Sequence, residues 1–110
     1  MNLKTIHNVY FIGIGGVGMS ALARYFVAVN KGVGGYDKTP TSITDGLVAL
    51  GIDIQFETLI NQIDNRFLNP KETLIVFTPA ISESNPILHY FKTNNFKVLK
   101  RSEILGLITE

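Results

Sequence analysis

"VYFIGIGGVGMSALARYF", residues 9–26, is the stretch on which the reading of this chain turns. It opens inside "NVYFIG" (8–13), a short run of β-branched and aromatic residues ending on Gly13. That composition in so short a run is the profile of a buried strand. Four glycines then fall within six positions: Gly13, Gly15, Gly16 and Gly18. From Met19 the pattern changes, and Ala21, Leu22, Tyr25, Phe26 and Val29 recur at three- and four-residue steps. Such spacing predicts a core-facing helix. Asn30 suits the left-handed cap that ends one. A strand, a glycine turn and a helix follow in that order, and so much bare main chain raises the question of what sits against it.

Working outward, "GVGGYD" (32–37) reads as a second strand ending at Asp37. In "TPTSITDGLVALG" (39–51), Ser42 with Asp45 three residues on gives a capping-box-like helix start. Ile43, Leu47, Val48 and Leu50 offer an apolar face, and Gly51 a stop. "IDIQF" (52–56) alternates like a strand with one exposed face. Within 57–72, "ETLINQI" reads as a short helix and "NRFLNPKE" as a loop. "TLIVFT" (73–78) is a second buried strand profile. In "SESNPILHYFKTNN" (82–95), Asn85 caps a helix with Pro86 at its first position and Ile87, Leu88 and Phe91 facing inward. "FKVLK" (96–100) is a fifth strand, and "SEILGLI" (102–108) a short helix capped by Ser102. Strands alternating with helices call for an α/β fold. The expectation is a Rossmann-like, doubly wound sheet of about five parallel strands, with helices on both faces and right-handed crossovers.

The totals narrow the function. A chain of 110 residues that is 45% apolar supports one compact domain with a modest core. A net charge of +1 gives no global electrostatic case for nucleic acid or an anionic membrane. With no cysteine, disulfides, thiol catalysis and zinc–thiolate sites are excluded. The longest apolar run falls short of the ~18 residues of a membrane span, and "MNLKTIHN" lacks a signal peptide's apolar stretch. A cytoplasmic location is therefore expected. His7 and His89 form no pair and have no acidic cluster at ligand spacing, so no metal site and no catalytic set is assigned.

In a doubly wound sheet, ligands bind beyond the C-terminal strand ends, near the point where strand order reverses. Gly13-x-Gly15-x-x-Gly18 fits the nucleotide-binding fingerprint. Gly13 permits the tight turn, Gly15 lets an anion approach the backbone, and Gly18 lets the helix pack close to the strand. Free N–H groups around Val17 to Ser20, with the helix dipole, suit a diphosphate. The Ser20 hydroxyl is a further donor. Asp37, nineteen residues after Gly18, is placed to accept from ribose hydroxyls. Lys38 stands beside it, and "TPAISESNP" (78–86) follows the fourth strand to the same edge. The competing readings are glycines kept for tight packing, a solvated Asp37, and an ordinary connection at 78–86.

"FIGIGGVGMSALA" also resembles the first segment of the Mur ligases, in particular those that add L-alanine to UDP-N-acetylmuramic acid. Gly13, Gly15, Gly16, Gly18, Met19 and Ser20 match that family's turn in order. "GGYD" resembles its second strand, "TPAISESNP" its small-residue loop, and "KRSEILGLI" its Arg-x-Glu-hydrophobic end through Arg101 and Glu103. The resemblance implies that residues 1–110 form one UDP-binding N-terminal domain of a three-domain ligase of peptidoglycan precursor synthesis. It implies that Gly15, Gly16, Val17, Gly18, Met19 and Ser20 hold the diphosphate. Asp37 and Lys38 would meet the uridine, and Thr78, Pro79, Ala80 and Ile81 would wall the nucleotide. The chain departs from the family at Tyr10, where His is common, and at Glu57 and Thr58, where Gly-His is common.

The family's ATP-binding Gly-x-x-Gly-Lys-Thr/Ser loop is nowhere in the chain. ATP and Mg2+ are thus expected of the whole ligase, on central and C-terminal domains, with no cofactor bound by this one. Residues 101–110 are expected to be the helix leading into the central domain. The first motif and Asp37 serve an NAD-binding regulatory or oxidoreductase module equally well, and a plain interaction domain with an unused glycine turn is the third reading.

Overall fold

The computed structural model describes residues 2–108. Five strands form one all-parallel sheet: β1 (Asn8–Ile12), β2 (Gly32–Tyr36), β3 (Asp53–Gln55), β4 (Thr73–Phe77) and β5 (Lys97–Lys100). They lie in the order β3-β2-β1-β4-β5, so the chain winds outward from β1 in one direction and then from β4 in the other. This is the expected Rossmann-like, doubly wound α/β sheet. Its switch point lies between β1 and β4. Four α-helices connect and flank the strands: α1 (Val17–Ala28), α2 (Ser42–Ala49), α3 (Pro86–Thr93) and α4 (Arg101–Ile108). The expected closing helix reaches Ile108, and positions 109 and 110 lie outside the described residues. The Cα radius of gyration is 12.5 Å.

Side-chain alternation along the central strands builds two cores, because successive residues of a strand point to opposite faces. Val9 and Phe11 of β1 with Leu74 and Val76 of β4 meet Leu22, Ala23 and Phe26 of α1, Leu47 of α2 and Ile104 of α4. Tyr10 and Ile12 with Ile75 and Phe77 meet Ile87, Leu88 and Phe91 of α3, with Phe67 and Phe96. Both faces are therefore covered, as parallel sheets require.

Several local expectations are corrected. Thr41, one residue before Ser42, caps α2: its Oγ1 accepts from Thr44 N (3.3 Å) while Thr44 Oγ1 accepts from Thr41 N (2.8 Å). A second threonine thus closes the capping box in place of Asp45. The buried side of α2 is Thr44 and Leu47, and Val48 and Leu50 are exposed. In α1, Met19, Leu22, Ala23 and Phe26 are buried, whereas Tyr25 and Val29 are not. Ser102 does not cap α4. Glu103 reaches back instead, its Oε1 accepting from Lys100 N at 2.9 Å. Within 57–72 there are only two single-turn 3-10 helices, Ile60–Gln62 and Asn65–Phe67, and the second lies in the stretch expected to be loop. Asn85 caps α3 as expected, accepting from Ile87 N and Leu88 N. Asn30 does adopt a left-handed φ of 67° after α1.

Candidate functional site

The strand register gathers the site. Tyr36, Ile12, Phe77 and Lys100 stand side by side at the last rung of β2, β1, β4 and β5. The next residue on each strand is Asp37, Gly13, Thr78 and Arg101, and all four line one cleft of ≈ 490 Å³. The sheet's switch point thus opens directly beneath it, the expected position for a ligand. The remaining walls come from Gly16, Val17, Gly18 and Met19, from Lys38, and from Ala80 and Ile81.

Gly13 makes the turn possible. Its φ is +94°, and a Cβ there would lie 2.6 Å from Thr78 Cγ2, so both backbone and space demand glycine. Its N–H and that of Ile14 donate to Tyr36 O at 2.8 and 3.0 Å, tying the turn to β2. Asp37 completes the tie: Oδ2 accepts from Gly15 N at 2.7 Å and Oδ1 from Thr39 N at 3.0 Å. A Cβ on Gly15 would meet Asp37 Oδ2 at 2.7 Å. The bare position at 15 therefore admits this carboxylate, and Gly15 does not line the cleft.

Gly16 stands before α1, and the N–H groups of Val17, Gly18 and Met19 have no acceptor among the described residues. These are the orphan donors every helix start leaves, at the positive end of its dipole. Ser20 does not join them. Its N–H donates to Gly16 O at 2.8 Å and its hydroxyl to Val17 O at 2.9 Å. Pro79 is exposed but not part of the lining. Of the predicted residues, Gly16, Val17, Gly18, Met19, Asp37, Lys38, Thr78, Ala80 and Ile81 come together, and Gly15, Ser20 and Pro79 do not line the space.

Sequence reasoning left out Arg101. A Cβ on Gly18 would lie 2.9 Å from the Arg101 guanidinium carbon, so the nearest neighbour of this bare position is that side chain. What linked it to Gly18 was β5 running into α4 without a loop, which places Arg101 one residue past the shared rung.

Tyr10 and Glu57, both departures from the family pattern, belong to one network away from the cleft. The buried Tyr10 hydroxyl donates to Gln55 Oε1 at 3.0 Å, and Gln55 Nε2 donates to Glu57 O and Leu59 O at 2.9 Å. Desolvation, with smaller effects of Asp53 and Tyr36, raises the Tyr10 pKa far above its ordinary value, so the hydroxyl remains a donor. No group of three or more metal-ligating side chains occurs among the described residues, and none of their helices is long and apolar enough to cross a membrane.

Residues 8–110 match the Mur ligase family, catalytic domain. UDP-N-acetylmuramate–L-alanine ligase of Flavobacterium johnsoniae is 54% identical over 110 residues, 100% of this chain and 24% of that protein. The enzyme of the same name from Parabacteroides distasonis is 48% identical over the same shares. The crystal structure of UDP-N-acetylmuramate–alanine ligase from Thermotoga maritima superposes with a TM-score of 0.81 at 25% identity, over 93% of this chain and 22% of that one. A murein peptide ligase from Psychrobacter arcticus shares the fold, with a TM-score of 0.77 at 22% identity over 92% of this chain and 20% of that one. The chain spans about a quarter of the length of the curated relatives it matches. On the match over residues 8–110, the chain belongs to the Mur ligase family.

Proposed function

We propose that residues 1–110 are the UDP-anchoring N-terminal domain of a ligase that joins L-alanine to UDP-N-acetylmuramic acid in peptidoglycan precursor synthesis. The observation that carries this reading is the cleft at the switch point, where the unpartnered amides of Val17, Gly18 and Met19 open beside a guanidinium. Relatives 54% and 48% identical, both UDP-N-acetylmuramate–L-alanine ligases, support the choice of sugar nucleotide and amino acid.

In this reading the three amides hold the diphosphate, with charge-assisted hydrogen bonds reinforced by the helix dipole. Thr78, Ala80 and Ile81 wall the nucleotide, with Pro79 shaping their loop. Asp37 keeps Gly15 and the turn in place, and its remaining lone pairs reach toward the uridine beside Lys38. Val17, 78% exposed, packs against the ligand's sugar. The chain's contribution to the reaction is orientation: binding a remote part of the substrate to place the reacting carboxyl end. In the whole ligase, ATP with Mg2+ supplies the activation that turns the muramic carboxylate into an acyl phosphate, which the alanine amine attacks. Those sites belong to central and C-terminal domains in the remaining length of the relatives, and the ligase works in the cytoplasm.

A calorimetric titration tests the reading. Heat with UDP-N-acetylmuramic acid and none with NADH supports it, and heat with NADH alone overturns it in favour of an NAD module. ATP- and alanine-dependent ligation by these 110 residues alone would contradict the division into domains.

A further inference from the structure

Arg101 poses an electrostatic problem. Its half-buried guanidinium lies against Gly18, in the first turn of α1, where three unpartnered N–H groups and the positive end of the dipole already converge. Two positive features meet there, and no described residue relieves them. The single ion pair among the described residues is Lys92 with Glu83. Asp37, the carboxylate of the cleft, has its oxygens on Gly15 N and Thr39 N, and it makes no hydrogen bond or ion pair with Arg101. Lys38 adds a further cation to the lining.

The arrangement is built and not incidental. Arg101 is the first residue of α4, reached from β5 without a loop, and Glu103 fixes that junction through Lys100 N. A Cβ at Gly18 would lie 2.9 Å from the guanidinium carbon, so the bare position leaves the side chain room to rest there. A partly buried cation with no partner among the described residues, facing a cleft, is a seat for an anion. A guanidinium offers a planar fork of donors matched to phosphate oxygens. The amides across from it favour the same chemistry.

We propose that Arg101 is a specificity-determining residue of the cleft: it reads the charge of the diphosphate and so separates a nucleoside diphosphate from the bare nucleoside. The assignment rests on the nucleotide reading above.

The test is the affinity of the chain for UDP and for uridine, measured by NMR titration on the wild type and on Arg101→Met, which keeps an unbranched side chain and removes the charged donors that lie against Gly18. Arg101→Met is expected to weaken UDP about tenfold or more while leaving uridine within about twofold. Arg101→Lys, a point charge without the fork, is expected to recover part of the loss. An unchanged ratio of UDP to uridine affinity overturns the assignment. So does an equal loss of both ligands, which would mark Arg101 as a support for the cleft through α4. Should Arg101→Met not fold, Arg101→Gln takes its place, and if neither folds the residue is structural and the assignment falls. Failure of the wild type to bind UDP sinks the nucleotide reading itself, before any variant is made.

Discussion

The glycine turn at 13–16 and the long connection at 56–72 each leave a strand at the same end of the sheet, and each is pinned to residues distant in sequence. The turn is pinned by polar contacts: Tyr36 O takes two of its amides and Asp37 a third. The connection is pinned by an aromatic ring. Phe67 is fully buried, stands edge-on to Tyr10 with centroids 5.4 Å apart, and fills the space over Gly34. The turn's anchors end at Gly16, so the next three amides are left without partners. The connection's main anchor is a core ring, with Gln55 Nε2 and Asn8 Nδ2 holding carbonyls along it, and no cleft of the described residues opens on it. A connection gains binding capacity where its own fold stops satisfying the main chain, and it gains stability where a side chain is buried outright.

Removing the ring gives the largest expected effect. Phe67→Ala is expected to cost about 3–5 kcal/mol in urea unfolding, with UDP affinity unchanged for the folded fraction. A loss below about 1 kcal/mol would mean that the connection is held some other way. Removing the turn's polar anchor comes next. Asp37→Ala strands the amides of Gly15 and Thr39 and is expected to cost about 1–3 kcal/mol. Unlike Phe67→Ala, it should also weaken UDP-N-acetylmuramic acid binding, since the turn carries the first residues of α1. Equal effects of both variants on affinity would erase the distinction between the two regions.

A smaller effect is expected at the start of the second connection, where β3 ends. Tyr10→Phe leaves Gln55 Oε1 without its donor, at about 1 kcal/mol. It also changes the alkaline limb of stability. The folded-state pKa of Tyr10 is raised above the ordinary 10.0, first by desolvation. Above pH ~10 the unfolded chain releases this proton while the folded chain keeps it, so stability falls as pH rises. Thermal unfolding between pH 9 and 11, on the order of one unit either side of that value, should therefore decline more steeply in the wild type than in Tyr10→Phe. Parallel curves would contradict the buried hydroxyl.

What was readable in the sequence follows the same division. The turn was legible because its requirements are local: a strand run, a positive φ at Gly13, a helix start at Val17 and an acid at the end of β2. The parallel sheet covered on both faces followed from alternating elements, and its strand order came from the structure. Phe67 was not legible, because "NRFLNPKE" has loop composition and its ring is buried by contacts with β1 and β2 that no spacing announces. The nearest neighbours of Gly15 and Gly18 were not legible for a related reason. A missing Cβ signals close approach but not of what, and at these positions the neighbours are Asp37 and Arg101. Ser20 matched the motif, yet its donors are spent inside the first turn of α1. Tyr25 and Val29 kept helical spacing with Leu22 but lie on the rim of the apolar stripe.

The central claim is that main-chain amides at the start of α1 hold the diphosphate of a sugar nucleotide. An amide-resolved NMR titration of the 110-residue chain with UDP-N-acetylmuramic acid addresses it most directly. The largest shifts are expected at Val17, Gly18 and Met19, with smaller ones at Asp37, Lys38 and Thr78 to Ile81. Saturable shifts confined to other parts of the sheet edge, with those three amides unmoved, would contradict it.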